Sequence, residues 1–271
     1  MPAVYAHLTF GRQVLRSLPE GNARSLILSN PALFEIGLQG PDIFFFYHPL
    51  THPPVNRIGH ELHEKSAQSF LSRPICQNAD KCSLAYLLGF ICHYTLDREC
   101  HTLVEYFMEE TGKGHSDIET DLERELMTRN GLDARKHVPA SYIDNSDSCA
   151  AVIAPFYEVE KKQVKTALAT MKLVSRVLSP SNVIKHALLT RLGCLTGERS
   201  IIRELTMDWI PDSVYGNSNR ELRLKMEQSI PLAIALMENF LAWHSGNAPL
   251  SQQFMRNFSY DPEELARLKE R

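Results

Sequence analysis

Apolar positions recur along this chain at helical spacing, and nowhere do they alternate with polar ones for the length of a strand. Tyr5, Leu8, Val14 and Leu15 mark a first helix that also carries His7 and stops at Pro19 and Gly21. Asn30 as N-cap and Pro31 at the first helical position open a short helix through Leu38. Gly40-Pro41-Asp42 breaks the chain and restarts it into IFFFY. A Pro-rich loop, HPLTHPPVN, precedes a helix expected from about Gly59 to Ser72. Asp80 to about Glu110 reads as one long helix, or as two with a joint near Asp97, ended by Gly112 and Gly114. The next helix runs from about His115 to Arg129 and is closed by Asn130-Gly131. Further on, Ala150–Val177 and Val183–Leu195 are amphipathic, Pro231–His244 is nearly apolar, and DPEELARLKER begins with an Asp-Pro helix start. The pattern predicts an all-α protein. Residues 1–135 are expected to form a His-rich helical core and 136–271 a plainer helical region packed on it, together one globular unit.

Composition narrows the function. A hydrophobic share of 44% in 271 residues excludes disorder and supports an ample core. With 29 basic and 32 acidic residues the chain lacks the footprint of a long nucleic-acid binder. No run reaches the roughly 18–20 apolar residues of a spanning helix, and His7, Arg12 and Arg16 interrupt any secretory signal, so a cytoplasmic location is expected. Six cysteines show no CxxC pair and are expected as free thiols; Cys92 and Cys100 read better as buried core than as soft metal ligands. Phe44, Phe45 and Phe46 could line a ligand pocket, although at least two of them are expected in the core. Trp209, Trp243 and Asn217–Arg223 show no chemical spacing.

Eleven histidines, most of them before residue 116, carry the chemistry. In HYTLDRECH, His93, Asp97 and His101 are spaced i, i+4, i+8 and share one helix face. The two imidazoles then stand about 12 Å apart along the axis, too far for one ion but suited to two or more with a carboxylate midway. His115 and Glu119 repeat the one-turn spacing after a Gly-Lys-Gly turn. His plus carboxylate at that spacing suits a borderline divalent cation, though a Glu so near a helix start also favours the dipole. His7 lies on the first helix, and Asp42 just past a Gly-Pro break. GHELH adds His60 and His63, one residue short of the HExxH metalloprotease spacing. Together His7, Asp42, His60, His93, Asp97, His101, His115 and Glu119 offer N and O donors across several helices, as helical multi-metal sites do.

This order of residues resembles the zinc-dependent phospholipase C family, whose all-α fold is shared with the P1-type nucleases and holds a metal cleft between helices. The resemblance is carried by His7, by GPD ending at Asp42, by GH ending at His60, by HYTLDRECH, and by GHSDIE with His115 and Glu119. It implies up to three zinc ions. Asp42, His60, His93 and Asp97 would hold one; Asp97 would bridge to a second shared with His7; His101, His115 and Glu119 would hold the third. The preference for His60 leaves His48, His52 and His63 open. Secreted members ligate zinc through an N-terminal Trp; here none lies near the start, and Pro2 would be exposed by loss of Met1. The step from Asp97 to His101 is also shorter than in those members.

The resemblance implies hydrolysis of a phospholipid or a small phosphodiester, with Asp42 as general base and peripheral membrane contact allowed. Two alternatives are a P1-like nucleotide phosphodiesterase and a non-catalytic, metal-stabilised helical binding protein. An HD-type phosphohydrolase is disfavoured, since no His-Asp dipeptide occurs.

Overall fold

The computed structural model describes residues 4–51, 53–195 and 206–270, with the side chains of 190 and 192–195 excepted. Among the described residues every regular element is helical. A single helix, Lys81–Thr111, forms the axis of the fold, and its residues from Leu84 through Arg98 are all buried. A helix apolar around its whole circumference must be covered on every side. The covering elements are the helices Val4–Ser17 (α1), Asn22–Ser29 (α2) and Pro31–Gly37 (α3), with the later helices Gly216–His244 and Pro262–Lys269. Numbering in chain order continues with Arg57–Glu64 (α4), Ala67–Leu71 (α5), Pro74–Gln77 (α6), the axial helix (α7) and His115–Arg129 (α8). Asp147–Ile153 (α9), Lys161–Leu178 (α10), Val183–Leu195 (α11), Gly216–His244 (α12) and Pro262–Lys269 (α13) follow among the described residues.

Backbone contact draws α3 onto α7. A Cβ on Gly37 would stand 2.2 Å from the Tyr86 carbonyl oxygen, and one on Gly89 would stand 2.2 Å from that of Phe34. This approach fixes where the chain leaves α3, and hence where the 3₁₀ turn Gly40–Phe46 carries Asp42. From the other side, α10 packs on that same turn. Phe44 and Phe46 are buried and Phe45 is half-buried, so two of the three phenylalanines do belong to the core.

Several expected boundaries change. α7 has no joint at Asp97: Asp80 caps its start by accepting from Ser83 N–H at 2.8 Å, and Gly112 ends it at φ 66°. The expected helix over 59–72 is two, because Lys65 is extended and Ser66 begins α5 afresh by accepting from Ser69 N–H. The expected helix over 150–177 is likewise divided, by a 3₁₀ turn through Pro155 and by Glu158 at φ 55°. α12 begins at Gly216 and continues through Pro231 rather than starting there. Asn30 precedes α3 without capping it; its amide donates backward to Leu26 O.

Candidate metal centre

The i, i+4, i+8 spacing on α7 puts Asp97 between His93 and His101, and tertiary packing surrounds it with two further imidazoles. Asp97 Oδ1 lies 3.3 Å from His7 Nε2 of α1 and 3.8 Å from His101 Nε2. Its Oδ2 lies 3.3 Å from His93 Nε2 and 3.3 Å from His63 Nε2 of α4. Asp42 approaches from the 3₁₀ turn, its Oδ1 3.2 Å from His63 Nε2 and 3.9 Å from His93 Nε2. On α8, Glu119 Oε1 is 3.1 Å from His115 Nε2 and 3.8 Å from His101 Nε2. Three groupings result, His7/His93/Asp97, Asp42/His63/His93 and His101/His115/Glu119, each with its donor atoms within 4.8 Å of one another.

The approach of Asp42 to His93 depends on Gly40. This residue has φ +48°, and a Cβ there would stand 2.3 Å from His93 Cδ2. Glycine supplies both the left-handed turn and the space for the imidazole.

Zinc fits this donor set. Donors on a tetrahedral zinc at about 2.0–2.1 Å stand about 3.3 Å apart, which matches the contacts between Asp97 and His7, His63 and His93. The facing atoms nevertheless leave buried hydrogen-bonding capacity unused: Asp42 Oδ1, His63 Nε2, His93 Nε2, Asp97 Oδ2, His101 Nε2, His115 Nε2 and Glu119 Oε2 have no hydrogen-bond partner. Orphaned donors and acceptors are costly in an interior unless a ligand takes them up. Two imidazoles are moreover fixed in the required tautomer. His63 Nδ1–H donates to Gly59 O at 2.7 Å and His101 Nδ1–H donates to Phe258 O at 2.6 Å, which turns each Nε2 lone pair inward. The donors are all nitrogen or oxygen, a set suited to zinc or a similar divalent cation.

The electrostatics follow from this crowding. Burial raises the carboxyls of Asp97 and Glu119, but His93 and His101 around the first and His115 and His101 around the second outweigh it, so both stay well below the ordinary carboxylate range. Burial lowers His93 to about 4, leaving it a neutral imidazole. For His101 the same burial is overcome by Asp97 and Glu119, which push it up to about 9. His63 is likewise raised, its burial outweighed by Asp42 and Asp97.

Seven of the eight expected residues meet here; His60 does not. It is exposed, with its ring 4.6 Å from that of Phe45. α4 lies so tightly on Phe45 that a Cβ on Gly59 would stand 2.6 Å from that ring. This seating turns His63 inward and leaves His60 outside. His48 lies against Tyr47, while His52 and Pro2 fall outside the described residues. Cys92 and Cys100 are buried thiols that join none of the groupings.

Two participants carry no ligand signature in the sequence. Phe258, far along the chain, donates its N–H to His63 O at 3.3 Å and accepts from His101 Nδ1, so one residue's backbone ties two of the imidazole-bearing helices together. Its ring lies 5.0 Å from that of His63 and 5.9 Å from that of His93. Glu123, one turn beyond Glu119, is buried and accepts the Tyr5 N–H at the start of α1; burial pushes its carboxyl up to about 8.

Comparison with curated proteins and with solved structures gives no significant match. A family model described as zinc dependent phospholipase C matches residues 6–169, which covers most of the chain and every residue of the three groupings. With that match added to a helical fold and His/Asp/Glu clusters between its helices, the chain belongs to the zinc-dependent phospholipase C family.

Proposed function

We propose that the protein hydrolyses a phosphodiester of phospholipid type, using up to three zinc ions held by His7, Asp42, His63, His93, Asp97, His101, His115 and Glu119. The observation that carries this reading is the convergence of four imidazole Nε2 atoms on the two oxygens of Asp97, three of those nitrogens and Asp97 Oδ2 itself lacking a hydrogen-bond partner. Bound zinc supplies Lewis acidity toward phosphoryl oxygens and acidifies water toward pKa 7. The chain does the rest. Asp97 belongs with His7 and His93, and its oxygens also face His63 and His101, one from each of the other groupings, so it would be the carboxylate shared between ions. Asp42, on a turn rather than a helix side, takes the proton of the attacking water as general base. The carbonyls of Gly59 and Phe258 hold the His63 and His101 rings through Nδ1 and so present each Nε2 as the atom that would face a bound cation. His115 is the most open of the eight, its side chain 33% exposed, and marks the side from which substrate enters. Among the described residues the eight side chains fall short of the twelve donors that would close three tetrahedral ions, and open positions are what a catalytic site requires.

Metal analysis of the purified protein, together with turnover of a chromogenic phosphocholine ester and of a nucleotide diester, tests the reading. Asp42→Asn is expected to lower kcat by about 10²–10⁴ while changing KM far less. Full turnover in that variant with its zinc intact removes Asp42 from the role, and bound zinc without turnover of either substrate removes the hydrolase.

A further inference from the structure

α10 and α11 form a hairpin of unusual composition. Between Lys161 and Leu195 the sequence holds seven Lys and Arg and no Asp or Glu, in a chain of net charge −3. Around its turn, Pro180-Ser181-Asn182, aliphatic side chains face solvent: Leu173 59%, Val177 46%, Val183 59%, Ile184 74% and Leu188 62% exposed. No helix interior demands this, since the opposite face of α10 already buries Val164, Ala167, Leu168 and Met171. Single exposed aliphatics are ordinary, but five within sixteen residues form a patch. Arg176 and Arg191 are exposed beside it, and Lys185 stands at the turn, donating to Arg176 O and Ser179 O.

We propose that the tip of this hairpin is a docking surface for an anionic phospholipid bilayer, with the five aliphatics entering the acyl boundary and the flanking cations meeting lipid phosphates. Cations among exposed aliphatics have the composition of an interfacial membrane element. Nucleic acid would engage the cations but leave the aliphatics in water, and two copies face to face would oppose like charges. The hairpin's place in the fold gives the docking a purpose. α10 packs on the turn that carries Asp42. A partly open hollow also lies between the hairpin's Val174, Leu178 and Pro180 and, on the elements of the metal centre, Val4, Phe46 and Glu123. Each of those last three sits about one turn along from His7, Asp42 or Glu119, so the hairpin borders a hollow that adjoins the elements carrying the centre. The choice of a lipid surface rests on the phospholipase reading; the patch and its charge do not.

The test uses the full chain in flotation with phosphatidylcholine vesicles, with and without phosphatidylglycerol, and in parallel measures hydrolysis of a soluble phosphocholine ester. Binding to the anionic vesicles is expected to exceed binding to the neutral ones by about tenfold or more and to weaken with salt. Ile184→Asp/Leu188→Asp, at positions already exposed, is expected to lose about tenfold or more of that binding with soluble-ester hydrolysis unchanged; Arg176→Glu/Arg191→Glu is expected to remove the anionic preference. Equal flotation of wild type and both variants overturns the proposal. So does a dimer that the same substitutions dissolve, or hydrolysis of the soluble ester without any vesicle binding. Anionic-vesicle binding by a chain that hydrolyses nothing leaves the docking surface standing and refutes the phospholipase reading instead.

Discussion

Gly40→Ala perturbs the centre without touching a ligand. Gly40 occupies φ +48°, a region that costs an L-residue about 1–2 kcal/mol. The added Cβ would lie 2.3 Å from His93 Cδ2 and 2.8 Å from His93 Nε2, so the ring must retreat by about 1 Å to reach ordinary contact. It has little room, being fully buried and stacked on the His7 ring at 4.4 Å. Overpacking of this kind adds about 1–3 kcal/mol, for a total near 2–5 kcal/mol. At about 2–4 °C per kcal/mol for a chain approaching this size, melting falls measurably. The metal consequence is more selective. Sites tolerate only about 0.2 Å in ligand distance, and His93 belongs to two of the three groupings. Zinc per chain, measured by mass spectrometry after dialysis, is therefore expected to fall in Gly40→Ala, with the His101/His115/Glu119 grouping retaining its ion. Gly40→Asn, which tolerates the left-handed backbone but also carries a Cβ, is expected to lose the same zinc with a smaller strain cost. Undiminished zinc in both variants would show that the missing Cβ at Gly40 does not position His93.

His63→Ala is expected to reduce bound zinc and turnover sharply while His60→Ala leaves both within about twofold, since only His63 faces Asp42 and Asp97; equal losses in the two variants contradict the seating of α4. Phe258→Ala opens a cavity worth about 3–5 kcal/mol and loosens the tether on His101, so chelator competition is expected to strip zinc about 10–100-fold more readily, with Phe258→Leu recovering most of it. Glu123 carries the pH signature. Its folded carboxyl sits at about 8, above the unfolded value of 4.5, so the folded state keeps a proton that the unfolded state releases. Stability contributed by this group is full below pH 4.5 and falls by about 1.4 kcal/mol per pH unit up to pH 8. Glu123→Gln is expected to flatten that decline in denaturant titrations across pH 5–8, and an unchanged slope rejects a neutral buried Glu123.

Much of the centre was legible because helical periodicity fixes which side chains share a face. His93, Asp97 and His101 needed only α7 to be straight, and His115 with Glu119 needed only α8. Asp42 was legible through Gly40, whose turn and missing Cβ the GPD run encodes. The choice between His60 and His63 was not. The two stand about 60° apart on a helix, so the rotation of α4 decides between them, and that is set by its contact with Phe45. Phe258 left no trace in any motif because it acts through its backbone across 157 residues of chain. The missed break at Lys65-Ser66 illustrates the same limit: a polar pair inside an amphipathic run reads as helix surface until Ser66 turns to cap Ser69.

Diffraction at the zinc absorption edge from crystals of the zinc-loaded protein shows whether Asp97 and the imidazoles around it hold the ions. Anomalous peaks are expected about 2.0–2.1 Å from the Nε2 atoms of His63, His93 and His101, with Asp97 reaching toward more than one of them. Peaks confined to the surface, or an Asp97 carboxylate that touches no ion, would contradict that arrangement.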